Sequence, residues 1–143
     1  MYTYTASANI SASIDVTWSY LSNVLEWPNV LPTISEVDNI SGGGMVVGSI
    51  FRVVQPGINP ARWVVTSCSE NERFSWRARM PGLGMSADHI VVPVGSMNCK
   101  LMLAFSFSGI LSPLAAFMRG KLVQRYISAE AEAFKRLAEN AGA

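Results

Sequence analysis

From Ser112 to about Asn140 the chain reads as one uninterrupted helix, and nearly everything between Ile34 and Ser108 alternates with the two-residue period of strands. A long terminal helix laid over a curved antiparallel sheet cannot close the concave side with its own side chains alone. A pocket between the two is therefore expected. At 143 residues the chain has the size of one ordinary domain, and a single domain spanning 1–143 is the expectation. Half the residues are apolar, 15% are charged and the formal net charge is +1. That balance argues against a polyanion partner, so no nucleic-acid binding is expected.

Tyr2 to Ala12 alternates weakly and reads as a first strand. Ser13 can then cap a helix with Asp15 in its first turn, and Ile14, Trp18, Leu21 and Leu25 recur at helical spacing to give it a buried stripe ending near Glu26. Trp27-Pro28 and Leu31-Pro32 bracket a second short helical turn, since proline disfavours helix in the residue before it but can open one itself. Six strands follow, divided by the clusters Ser41 to Gly44, Pro56 to Pro60, Glu70 to Glu72, Pro81 to Gly84 and Gly95 to Asn98. Loops this short favour an antiparallel meander. The triple glycine reads as a hairpin turn and not a phosphate loop, because no Lys-Ser/Thr pair and no helix follow it.

Charge assigns the faces of the strands. Phe74, Trp76, Ala78 and Met80 lie opposite Arg73, Ser75, Arg77 and Arg79 and turn inward. The same logic turns Leu101, Leu103, Phe105 and Phe107 inward, and places Phe51, Val53 and Gln55 opposite Arg52, and Trp63 and Val65 opposite Arg62. On the last helix, Ser112-Pro113 reads as N-cap and first helical residue. Met118, Leu122, Tyr126, Ala129, Ala133 and Leu137 then share one face and Lys121, Arg125, Ser128, Glu132 and Lys135 the other, with Arg119 and Glu130 as polar exceptions inside the apolar arc. These two exceptions stand about 16 Å apart along the axis, too far to pair with each other.

Strand, two short helices, six strands and a long terminal helix is the order of the helix-grip fold. Val16-Thr17-Trp18, Trp27-Pro28, Gln55-Pro56-Gly57, Phe74-Ser75-Trp76, Pro81-Gly82, His89, Gly95, and Glu130 followed by Leu137 and Glu139 make the chain resemble the polyketide cyclase/dehydrase branch of the START-related superfamily. The resemblance implies an α+β fold, a curved seven-stranded antiparallel sheet wrapped around the C-terminal helix. It also implies a hydrophobic or aromatic small-molecule ligand between the two, in a family where some members cyclise or dehydrate polyketides. Asn98-Cys99 stands where many relatives place Gly-Thr, and no set of inward polar residues matches a characterised cyclase, so no catalytic roles are carried over.

His89 is the only histidine and the only side chain whose ordinary pKa lies near neutrality, which makes it the candidate acid or base. With Asp88 outward it points into the cavity beside Val91. The parity that Ile90, Val92 and Val94 share with Asp88 leaves a bulge or the opposite phase open, as it leaves open a histidine merely satisfied by a neighbouring carbonyl or hydroxyl. The candidate ligand-binding residues are Phe51, Gln55, Trp63, Trp76, Met80, Phe105, Phe107, Met118, Arg119, Leu122 and Tyr126: aromatic walls, an amide for orientation, and an arginine near the helix start that can meet a carboxylate or phenolate. The alternative is an ordinary packed core.

Cys68 and Cys99 have no metal-ligand spacing and read as reduced packing residues, and no cofactor or metal is expected. The N-terminus lacks a signal peptide's basic start and apolar run, and nothing is long and apolar enough to span a membrane, so a cytoplasmic protein, monomer or homodimer, is the expectation. Three function classes remain: a cyclase- or dehydratase-like enzyme, a non-catalytic carrier or sensor using the same pocket, and an interaction protein whose cavity is vestigial.

Overall fold

In the computed structural model, which describes residues 1–141, the chain begins with strand β1 (Tyr2–Ile10). Ser13 caps helix α1 (Ile14–Leu21), its hydroxyl accepting from the Val16 N–H at 3.3 Å. The helix is shorter than its apolar spacing predicts. It gives way to a 3₁₀ turn, Val24–Glu26, that buries Val24 and leaves Leu25 at 48% exposure. Trp27-Pro28 then opens the one-turn helix α2 (Trp27–Val30).

The meander follows as β2 (Glu36–Asn39), β3 (Ile50–Gln55), β4 (Ile58–Ser69), β5 (Arg73–Met80), β6 (Leu83–Gly95) and β7 (Asn98–Ser108). All seven strands form one antiparallel sheet in the order β1-β7-β6-β5-β4-β3-β2, so the chain's first strand pairs with its last. Register shifts at Val53/Gln55 and Val65/Ser67 put bulges into β3 and β4, and a bulge bends the strand that carries it. At the end of β7, Gly109 takes φ +94° and lies against the Gly82 carbonyl, where no side chain would fit. The chain swings back there, the Leu111 N–H donates to Gly82 O at 2.9 Å, and helix α3 (Ser112–Ala141) runs across the concave face.

The core is the inward row of each strand closed by α3, α1 and α2. Strand parity holds for the large inward rings: Phe51, Trp63, Trp76, Phe105 and Phe107 are all at most 7% exposed, while Ser75 of the outward row is also buried and Gln55 and Met80 of the inward rows are only half-buried. The face of α3 differs from the one its apolar spacing predicts. Its buried residues are Ser112, Gly120, Val123, Ile127, Glu130, Ala131, Ala133, Phe134 and Ala138, while Met118 is 59% exposed and Leu122 only half-buried. The apolar arc of α3 is wider than either set, so spacing alone leaves its rotation open. Tyr4 of β1 settles it, because its ring lies where any side chain at position 120 would stand.

The lower half of α3 is pinned beyond β1 by polar contacts. Glu139 accepts from the Ser11 N–H at 2.8 Å, and Lys135 donates to the Asn9 carbonyl and reaches Glu139 at 3.1 Å. Both cysteines are free; Cys99 is buried with its Sγ 3.2 Å from Thr17 Oγ1.

Candidate functional site

Cross-strand register explains where the hollow lies. Trp76 on β5 pairs with Ala87 on β6, which pairs in turn with Phe105 on β7. A methyl group thus stands between two large rings on one row of the sheet, and the space it leaves is covered by Val123, Tyr126, Ile127 and Glu130 of α3. The resulting cavity has a volume of about 40 Å³, enough for a few water molecules. A neighbouring groove of about 100 Å³, between the start of α3 and the β5–β6 turn, shares Ile58 and Phe105 with it.

The candidate residues divide between these two spaces. Gln55, Trp63, Trp76, His89, Phe105 and Tyr126 line the inner cavity. Met80, Phe107 and Arg119 line the outer groove together with Phe105. Phe51 lines neither, its ring packing against Trp76 at 6.1 Å between centres with the planes 51° apart. Met118 faces away, and Leu122 lies against Gly57 in the β3–β4 turn. Tyr126 closes the same side, its hydroxyl donating to the Pro56 carbonyl.

His89 points inward, at 5% exposure. Its ring stacks on Phe74 with centres 4.1 Å apart and planes 10° from parallel, and Trp27 and Trp76 each stand 5.6 Å away. Nδ1 lies 3.3 Å from the Phe74 carbonyl. A carbonyl only accepts, so Nδ1 carries the hydrogen and Nε2 is left as the acceptor. Burial holds the imidazole down at about 4, outweighing the Phe74 hydrogen bond and the Asp88 charge, which both favour the cation. The ring is neutral at physiological pH.

Glu130 is the residue to which spacing assigned no role. It lies 7% exposed in the inner cavity, accepts from the Thr33 hydroxyl at 2.7 Å and meets Gln55 Nε2 at the long distance of 3.5 Å. Burial pushes its carboxyl from the ordinary 4.5 up to about 7, against the Thr33 hydrogen bond, which favours the carboxylate. Proton-bearing and proton-free forms are then both populated near neutrality. The visible signal was a lone acid inside the apolar arc of a helix. Thr33 and Trp27, both reached from the proline-bracketed segment, carried no such signal.

Trp27 adds a donor. It lines the cavity at 2% exposure, and its indole Nε1–H is without a hydrogen-bond partner among the described residues. Among those residues no three His, Cys, Asp or Glu side chains are grouped to hold a metal ion, and no helix is long and apolar enough to cross a membrane.

Over residues 1–140 the chain matches the family model for polyketide cyclase/dehydrase and lipid transport proteins. Among solved structures it is similar to the aromatase/cyclase Zhui from a Streptomyces species, at 17% identity and a TM-score of 0.81 over 99% of this chain and 96% of that one. A norcoclaurine synthase point mutant from Thalictrum flavum, in complex with a transition-state analogue, aligns at 18% identity and a TM-score of 0.78, again over 99% and 96%. A START superfamily protein from Mycobacterium smegmatis aligns at 15% identity and a TM-score of 0.74 over 99% of each chain. No curated protein sequence matches the chain. The solved structures share its helix-grip fold, and the match along nearly its whole length places the chain in the polyketide cyclase/dehydrase and lipid transport family.

Proposed function

We propose that the chain takes a hydrophobic or aromatic small molecule bearing a carbonyl or hydroxyl oxygen into the inner cavity and moves a proton on it, in a cyclisation or dehydration of polyketide type. The observation that carries this reading is Glu130, a carboxyl held near neutral pKa among aromatic walls. A general acid–base is most effective when its pKa lies near the working pH. As the carboxylate, Glu130 removes a proton from the carbon beside a carbonyl. As the acid formed by that step, it returns the proton to the hydroxyl that leaves as water, so the new C=C bond replaces one C–H and one C–O bond.

His89 is too weak a base at about 4 to share that work and, being neutral, is a poor acid. Its place in the proposal is that of an acceptor orienting a ligand hydroxyl. The Trp27 N–H suits the ligand's oxygen, since an unpaired buried donor costs about 1–3 kcal/mol that an incoming acceptor removes. Relatives named as an aromatase/cyclase and a norcoclaurine synthase support a fold that accommodates ring-forming chemistry.

The test is turnover of β-keto thioester chains and their aromatic analogues. Glu130→Gln should lower turnover by roughly 10² to 10⁴ while affinity stays within a few fold, because proton transfer acts on the transition state. His89→Ala should chiefly weaken binding. Compounds that bind the wild-type protein without being converted would establish the carrier reading instead, and undiminished turnover in Glu130→Gln would remove the carboxyl from the mechanism.

A further inference from the structure

We propose that the end of the molecule where α3 begins docks on an anionic lipid surface. Ile110, Leu111, Leu114, Phe117 and Met118 are 87%, 43%, 55%, 79% and 59% exposed. They form a continuous apolar tip made by the β7–α3 turn and the first turns of α3. Scattered exposed apolar residues are ordinary, but a contiguous cluster marks an interaction surface.

Charge identifies what the surface meets. Apart from the edge strand β2, the segments that build this end of the sheet and the upper part of α3 are residues 1–8, 53–65, 76–87 and 104–129, and they contain no aspartate or glutamate. They carry Arg62, Arg77, Arg79, Arg119, Lys121 and Arg125. Glu70 and Glu72 in the β4–β5 turn and Asp15 at the start of α1 are at the opposite end, and Glu132 and Glu139 are in the lower half of α3; Glu36 and Asp38 lie level with these segments but on the far edge strand, where Arg52 pairs with both. A chain with net charge +1 thus presents one basic end, and that end carries the apolar tip.

The spacing fits a bilayer. Leu114, Phe117, Lys121 and Arg125 are all exposed and stand three or four residues apart, with exposed Met118 beside Phe117, so one stripe of α3 runs from apolar to basic. Lys121 stands about 6 Å and Arg125 about 12 Å above Phe117 along the axis. With the tip buried roughly 5–10 Å into the headgroup boundary, the two cations arrive at the level of the lipid phosphates. A second copy of this chain would bring the same cations against each other, which disfavours self-association through this face. The outer groove lined by Ala115, Arg119 and Leu83 opens at the same end and adjoins the inner cavity. An apolar ligand leaving the bilayer would thus meet the groove first, and would reach the cavity only once the space beside Ile58 and Phe105 widens. The docking stands on the exposed tip and the charge pattern and does not depend on catalysis by Glu130.

Vesicle co-sedimentation with the full chain tests it. Vesicles of phosphatidylcholine with about one-third phosphatidylserine should capture the protein, pure phosphatidylcholine should capture far less, and raising NaCl to about 0.5 M should release it. Phe117→Ser should reduce binding roughly 10-fold or more, and Lys121→Gln with Arg125→Gln about 25-fold. Val94→Ser, at the opposite end, should leave it unchanged. Circular dichroism and melting of each variant show whether it is folded, and the lipid-composition and salt arms on the wild-type protein decide the matter where one is not. Absence of binding, equal binding to both vesicle types, or binding that survives Phe117→Ser would overturn the proposal. So would a wild-type dimer in sedimentation equilibrium that Phe117→Ser converts to monomer, with no vesicle binding by either.

Discussion

Glu130 and His89 are buried in the same cavity and shift in opposite directions, which gives stability an unusual pH dependence. Glu130 holds its proton to about pH 7 when folded and loses it near 4.5 when unfolded. Between those values the folded state binds more protons, so its stability falls as pH rises. His89 stays neutral down to about pH 4 when folded but takes up a proton below its ordinary 6.5 when unfolded. Its contribution therefore rises with pH between 4 and 6.5. Each effect amounts to about 3 kcal/mol across its window, and the two nearly cancel from pH 4.5 to 6.5. Removing one partner should expose the other. In urea unfolding at a series of pH values, Glu130→Gln should gain about 3 kcal/mol relative to wild type as pH rises from 4.5 to 7, and His89→Gln should lose a similar amount between pH 4 and 6.5. Difference curves that stay flat would mean that neither group is held away from its ordinary titration by burial.

Helix α3 and the central strands divide the work of making a cavity. On α3 the buried stripe passes through Val123, Ile127 and Phe134, and Met118 lies outside it. Ile127→Ala should accordingly cost about 2–5 kcal/mol, whereas Met118→Ala should change stability by less than about 0.5 kcal/mol. Equal losses at the two positions, measured by denaturant unfolding, would place the helix in the rotation that its apolar spacing alone suggests. On the sheet, Ala87 makes the hollow by being small between Trp76 and Phe105. Ala87→Val should fill much of it, at a loss of no more than about 1–3 kcal/mol. A ligand present at 100 times its dissociation constant stabilises the native state by about 2.7 kcal/mol, worth roughly 5–10 °C in a chain of this size. That rise should be seen in the wild-type protein and largely lost in Ala87→Val. If the valine variant keeps the full rise, the ligand sits elsewhere, with the outer groove the next place to look.

Across the whole molecule, α3 is held unequally. Its lower half is pinned by Glu139 to Ser11 and by Lys135 to Asn9, and it packs Ala131, Phe134 and Ala138 at 1% exposure or less. Its upper half covers the cavity through Val123, Tyr126 and Ile127, and its outer edge rests only on Leu122 against Gly57 and Tyr126 against Pro56, beside the exposed apolar tip. Few buried contacts and a half-exposed helix face mark the part of a fold that opens first. A cavity of about 40 Å³ must widen to admit an aromatic ligand, and the widening should begin there. Amide hydrogen exchange should be faster at 117–124 and in the β3–β4 turn than at 130–138, with the difference shrinking when ligand is bound. Uniform protection along α3 would point to entry from another side.

Local chemistry determined the order of the elements, the strand parity that turns Phe51, Trp63, Trp76 and Phe105 inward, and the long closing helix. Each follows from periodicities of two and 3.6 that a neighbour in sequence suffices to reveal. The landmarks Trp27-Pro28, Phe74-Ser75-Trp76 and Glu130 pointed to the family to which the chain belongs. What periodicity could not decide was the rotation of α3, because its apolar arc is wide enough for more than one seating and the choice was made by Tyr4, 116 positions before Gly120. Nor could it assemble the polar side of the cavity. Thr33, Gln55, His89 and Glu130 come from a loop, two strands and a helix, and only folding brings them to one place. The carboxyl that titrates near neutrality owes that property to desolvation, a quantity set by everything packed around it and by nothing in the residues beside it in the chain.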